Sequence, residues 1–200
     1  MKLGLTGSFG SGKSTTSNFL KDRRAIVIDA DTLAHEETKP GTEGFKTILE
    51  EFGTEYLQSD GSLDRKKLGR YVFSHPQALD RLEKIVHPLV RKRELELLEE
   101  HKNEPLLVLS VPLLLEKGLE KYVDKVLVVT ISESERYARL TKNYGLSREE
   151  IEKRLKNQMS QEEKIKRADY IIDNSGSLEQ SRKQVDLLLK KLVQKKGKKG

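Results

Sequence analysis

The amino-acid sequence predicts an α/β fold, a parallel five-stranded sheet flanked by helices. Three observations predict it. Two runs, 106–111 and 125–131, are almost continuously apolar, as strands buried on both faces tend to be. Helical patterns separate the strands, which implies a parallel sheet with right-handed crossovers. A glycine-rich loop, 7–12, joins the first strand to the first helix.

Residues 2–6 read as a short buried strand, 7–12 as the glycine loop and 13–21 as a helix. The second strand spans 25–28 and ends at Asp29. A helix follows over about 31–37, until Pro40 and Gly41 break it. A helix at 42–51 opens a middle segment with little strand character. There Asp60-Gly61 signals a turn. Helices are predicted over 65–73, 77–86 and 88–100, with Pro76 and Pro88 at helix starts, where proline is tolerated. The two apolar runs are the third and fourth strands. Ser132 with Glu135, Ser147 with Glu150 and Ser160 with Glu163 match capping-box spacing. Three helices therefore begin between 132 and 168. A last strand spans 170–173. The closing helix, 177–193, carries a stripe of Leu178, Val185, Leu188, Leu189 and Leu192, read as core packing.

At 200 residues the chain is long enough for one domain with a real core. Hydrophobic and charged residues each make up 35%, the profile of a soluble protein with a busy surface. No run of about 18 apolar residues offers a membrane span. The first residues lack the basic region and cleavage site of a signal peptide. A cytoplasmic protein is therefore expected. The absence of cysteine excludes disulfides, Cys-ligated zinc and thiol catalysis. A formal charge of +6 suits anionic ligands such as nucleotides. Much of the excess sits at Lys190, Lys191, Lys195, Lys196, Lys198 and Lys199. That tail reads as a solvated helix end and, over 196–200, a disordered terminus. It has no interleaved aromatics, so no nucleic-acid site is expected.

Gly7-Ser8-Phe9-Gly10-Ser11-Gly12-Lys13-Ser14 fits G-x-x-x-x-G-K-S/T at every fixed position, after a strand and before a helix. The glycines let the backbone curl so that N–H groups of Gly10, Ser11 and Gly12 point at phosphate oxygens. The helix N-terminus adds its dipole. Lys13 reaches the β- and γ-phosphates, and the Ser14 hydroxyl joins a Mg²⁺ shell. Thr15 is close enough to help hold phosphate. This is a P-loop.

The rest of the sequence narrows the class. The guanine-specifying Asn-Lys-x-Asp is absent. Asp173-Asn174-Ser175-Gly176 fits the other GTPase string but follows the last strand, where a turn belongs. Motor and transporter ATPases usually end an apolar strand with an acid, whereas the run from 106 ends in Ser110. The acids stand instead at Asp29 and Asp31, at the end of the second strand. There they can face the phosphate loop from the C-terminal edge of the sheet. One can orient the acceptor proton while the other supports the metal. The alternative for Asp31 is a helix N-cap, which is compatible with catalysis. This pattern suits a small-molecule kinase. Arg136, Arg139, Lys142, Arg148, Lys153 and Arg154 follow Ser132, and one or two of them should close over the transferring group.

Gly4-Leu5-Thr6-Gly7, Ile28-Asp29-Ala30-Asp31, Asp60-Gly61-Ser62-Leu63-Asp64-Arg65, His87-Pro88, Pro112-Leu113-Leu114-Leu115-Glu116, Gln158-Met159 and 168–176 occur in a characteristic order and spacing. In these the sequence resembles the bacterial dephospho-coenzyme A kinases, from Leu3 to about Gly176. The resemblance implies ATP-dependent phosphorylation of the 3′-hydroxyl of dephospho-CoA. It implies a P-loop kinase fold with a core (about 1–40, 104–132 and 168–195), a helical acceptor-binding insertion (about 41–103) and a helical lid (about 133–167). Asp31 would be the base, acting with Lys13 and Arg139, the lid arginine. His87 and Leu113 to Glu116 would line the acceptor side, and Asn174 would lie near the adenine. Ser14, with Asp29 as a second candidate, would face Mg²⁺. The expected partners are ATP and dephospho-CoA, with no nucleic acid and no membrane, and the expected state is a monomer. The alternative is a P-loop kinase acting on a nucleoside, a nucleotide or another small hydroxyl acceptor.

This chain departs from the family pattern at two lid positions. Arg136 stands where the family usually has Gln, and Asn143 where it usually has a second lid arginine. One helical turn from Arg139, Arg136 is a candidate to supply the missing charge. Ser110 occupies a position often acidic in relatives.

Overall fold

The apolar runs form one sheet of β1 (Lys2–Gly7), β2 (Ile26–Asp29), β3 (Leu107–Ser110), β4 (Lys125–Thr130) and β5 (Tyr170–Asp173), in the order β2-β3-β1-β4-β5. β1 pairs in parallel with β3, Leu3 opposite Val108, and with β4, Leu5 opposite Leu127. β4 pairs in parallel with β5. The computed structural model describes residues 1–196, with side chains through 192. The predicted disorder of the tail falls, from 197 on, outside the described residues. Two compact units are present, one of 1–28 with the chain from His101 onward, the other of 29–100. Among the described residues, no helix is long and apolar enough to cross a membrane.

In the first unit Leu3, Leu5, Val108, Leu127 and Val129 are buried on the sheet. Phe19 and Leu20 of α1 (Lys13–Lys21) and Val185, Leu188 and Leu192 of α9 (Leu178–Lys196) complete that core. Leu178 does not join the stripe assigned to it. It is 67% exposed, at the first position of α9. Three further helices are α6 (Glu133–Tyr144), α7 (Arg148–Leu155) and α8 (Gln161–Lys166). Ser147 with Glu150 and Ser160 with Glu163 close full capping boxes. At Ser132 only half a box forms. Its hydroxyl accepts from the Glu135 N–H, but the Glu135 carboxylate turns to Arg139 Nε at 3.1 Å.

The second unit contains α2 (Ala30–Glu36), α3 (Glu43–Phe52), α4 (Arg65–Ser74) and α5 (Pro76–Glu100). Ile48, Phe52, Tyr56, Leu63, Leu68, Val72 and Ala78 form its core. Asp29, not Asp31, caps α2; its Oδ1 accepts from Thr32 N at 3.1 Å. The cap lies two residues earlier because α2 starts at Ala30, directly after Asp29, the last extended residue of β2. The two helices predicted over 77–86 and 88–100 are one, α5, which continues through Pro88. A proline interrupts one backbone hydrogen bond and disfavours helical geometry at the residue before it. Packing of α5 against α2, α3 and α4 outweighs that penalty. Pro88→Ala should therefore raise stability by up to about 3 kcal/mol, read as a higher thermal unfolding midpoint. An unchanged midpoint would mean that neighbouring side chains already offset the lost bond.

Candidate active site

The phosphate loop leaves the C-terminal end of β1, the central strand, with β3 on one side and β4 on the other. From β1 the chain crosses to β2 on one flank, and from β3 it crosses back over β1 to β4. Such a switch point opens a crevice at the strand ends. Ser11 N–H donates to Ser8 O at 3.0 Å and Phe9 N–H to Gln158 Oε1 at 2.9 Å. Gly12 caps α1 with φ 85° and ψ 26°, the left-handed region, and brings no capping side chain. The first-turn N–H groups of Lys13, Ser14 and Thr15 thus have no intrahelical acceptor and carry the positive dipole end. A Cβ at Gly12 would collide with Asn174 Nδ2, so this position requires glycine twice over.

Lys13 Nζ donates to Ser110 Oγ at 2.9 Å, and Ser17 Oγ lies 3.3 Å from the same oxygen. Ser110 is fully buried at the end of β3. Ser14 is exposed on the first turn of α1, and Thr15 half-buried beside it. Asn174, buried after β5, donates to Ser11 O at 2.9 Å and Gly12 O at 3.3 Å. It braces the loop. Ser11 Oγ, Thr16 Oγ1 and Asn174 Oδ1 are buried with no protein partner among the described residues. Three orphaned polar atoms in and behind one glycine loop mark a site built for a polar guest.

Arg139 Nε meets Glu135, while its NH2 group donates to Gly176 O at 3.0 Å and Ser175 O at 3.4 Å. Arg136, one turn earlier, is buried, and burial pushes its pKa below arginine's usual value. It still carries its charge at neutral pH. Leu113 is half-buried in the turn after β3. Glu116 Oε1 accepts from Lys164 Nζ at 2.7 Å and from Met159 N–H at 2.9 Å. Asp29, Asp31 and His87 belong to the second unit. Asp31 is exposed in the first turn of α2. His87 is exposed on α5, with Nδ1 3.9 Å from Glu83 Oε2.

Sequence reasoning gave no role to Lys164, Gln158 or Gln161, although Gln158 and Lys164 stand in strings shared with the family. Lys164 is fully buried and bonds Pro112 O as well as Glu116. Its signal lay in the Ser160–Glu163 box, which fixes the register of α8 so that Lys164 faces inward. Gln158 and Gln161 reach main-chain groups far along the chain, Phe9 and Ile131, which no local pattern reports.

A phosphate loop at a switch point, with cations around it and no side-chain cap on its helix, defines a P-loop nucleotide-binding protein. The profile of the CoaE family, dephospho-CoA kinase, matches residues 1–180, and the chain belongs to this family. It is 49% identical over 186 residues to the dephospho-CoA kinase of Symbiobacterium thermophilum, covering 92% of this chain and 78% of that one. A crystal structure of TT1252 from Thermus thermophilus superposes with a TM-score of 0.77 at 39% identity, covering 96% and 97% of the two chains. The dephospho-CoA kinase from Campylobacter jejuni does so with a TM-score of 0.69 at 28% identity, covering 96% of each. The chain is thus a kinase that transfers phosphate to a hydroxyl group.

Proposed function

We propose that this chain transfers the γ-phosphoryl group of ATP to the ribose 3′-hydroxyl of dephospho-CoA, giving CoA and ADP. The observation that carries the reading is the phosphate loop, with Lys13 beside it and orphaned buried oxygens behind it, in a member of this family. The insertion of about 41–103 is assigned the acceptor and residues 133–167 the lid. ATP and dephospho-CoA are the partners of a cytoplasmic monomer that needs neither nucleic acid nor a membrane.

Transfer is in line. The loop N–H groups and Lys13 hold the phosphates and stabilise charge on the moving group. Asp31 orients the 3′-hydroxyl and takes its proton. Arg139 closes on the phosphates, and Asn174 fixes the loop near the adenine. His87, Leu113 and Glu116 line the acceptor side. Closure of the lid keeps water from competing for the phosphoryl group.

Mg²⁺ keeps several waters and takes its remaining ligands from phosphate oxygens and one or two protein oxygens. The exposed Ser14 hydroxyl meets that need, with Asp29 as a second candidate. The lack of any cluster of three or more acidic or histidine ligands among the described residues fits so small a protein contribution. When bound, the ion would neutralise phosphate charge.

Asp31→Asn should lower turnover by about 10²–10⁴-fold with little change in the KM for ATP. Full activity in this variant would remove Asp31 from the base role. An acceptor panel of dephospho-CoA, adenosine and AMP tests the substrate. Preference for adenosine or AMP would overturn the assignment.

A further inference from the structure

Arg136 offers an observation that the proposed function does not use. Its side chain is 8% exposed. Its NH2 group donates to Ser8 Oγ at 3.2 Å, inside the phosphate loop, and to Gln161 Oε1 at 2.9 Å. Gln161 is itself locked on the end of β4, accepting from Ile131 N–H and donating to Ile131 O, both at 3.1 Å. The stem of Arg136 lies against the loop as well. A Cβ at Gly10, where φ is 79°, would stand 3.2 Å from Arg136 Cγ and 2.7 Å from Leu140 Cδ1. Arg136 Nε is buried and has no partner, and among the described residues no carboxylate forms an ion pair with this guanidinium. Glu133 and Glu162 favour its charge electrostatically without forming an ion pair with it, and Glu135 is committed to Arg139.

A buried cation with no carboxylate in contact is costly to the folded state unless a bound anion compensates it. Both partners of its NH2 group are neutral, and the loop it abuts is a phosphate site. We infer that Arg136 is a fixed cation in the wall of the phosphate loop. It holds Ser8 and Gly10 in the loop's conformation and lends its charge to the bound phosphates from a preset position. This rests on the reading of the loop as the nucleotide site, and it changes the role first suggested by the sequence. Arg136 does not swing over the nucleotide as a lid arginine would. It is a positioning residue.

Two variants separate this from plain packing. Arg136→Met keeps the stem against Gly10 and Leu140 but removes the charge and its donors. Arg136→Lys keeps a charge. Calorimetric titration of each full-length protein with ADP is read beside the ligand-free melting temperature. The inference expects Arg136→Met to bind ADP about tenfold more weakly, with a shallower dependence on salt. Its ligand-free melting temperature should be unchanged or higher, since a buried charge with no contacting carboxylate has been removed. Arg136→Lys should stay within about threefold of the unaltered protein. Undiminished ADP affinity in Arg136→Met overturns the inference, as does a loss that only parallels a lower melting temperature. Should Arg136→Met not fold, a tenfold loss in Arg136→Lys overturns it. If the unaltered protein does not bind ADP at all, the reading of the loop fails first and this inference with it.

Discussion

Lys13→Ala is expected to lower dephospho-CoA-dependent ADP release by about 10³-fold. Lys13 stands at the first position of α1, where its chain leaves the loop on the phosphate side. Its ammonium group donates to Ser110 Oγ at 2.9 Å, at the end of β3. Removal of such a donor from a site that excludes water forfeits stabilisation made mainly in the transition state. Stability should change little, because Ser110 Oγ keeps Ser17 as a neighbour, and one lost hydrogen bond costs about 1 kcal/mol. Turnover and melting temperature, measured side by side, check this. Activity within tenfold of the unaltered enzyme would place the phosphate-binding charge elsewhere.

The second large effect is on stability. Lys164 is fully buried, and its ion partner Glu116 has a side chain 18% exposed. Glu116→Leu removes the carboxylate and strands the ammonium group with only Pro112 O at 3.3 Å. It also takes the acceptor from Met159 N–H. Stranding one member of a buried pair costs about 3–5 kcal/mol, roughly 10 °C in the melting temperature of a chain of this size. Adding Lys164→Met should recover at least half of the loss, since replacing both charges by apolar groups is often neutral. Urea unfolding of the two single variants and the double variant gives the coupling directly. A double variant no more stable than Glu116→Leu would mean that the lost Met159 contact, not the stranded charge, sets the cost.

The parts of this site that were legible in the sequence are those whose cause is local. The phosphate loop is one continuous string whose glycines and lysine work within a single turn of chain. The boxes at Ser147 and Ser160 depend on residues three apart. Expectation failed where a distant residue decided the outcome. Glu135 has capping-box spacing, yet Arg139 on the same helix takes its carboxylate. Pro88 reads as a helix start, yet packing on three other helices carries α5 through it. The alternative offered for Asp31, a helix cap, falls to Asp29 instead, a shift too small for sequence pattern to resolve. The seat of Arg136 depends on Ser8, 128 residues away along the chain. From the sequence it could be recognised only as an arginine one turn from another. Buried Lys164 was hidden for the same reason, since its partner lies 48 residues before it.

The central claim is phosphoryl transfer to one hydroxyl of one acceptor. The unaltered enzyme, incubated with ATP, Mg²⁺ and dephospho-CoA, gives a product that mass spectrometry and phosphorus NMR can identify. The account predicts dephospho-CoA heavier by one phosphate, carried as a monoester on the ribose 3′-oxygen, with ADP formed in equal amount. ADP released without this product, or phosphate found on another hydroxyl, would contradict it.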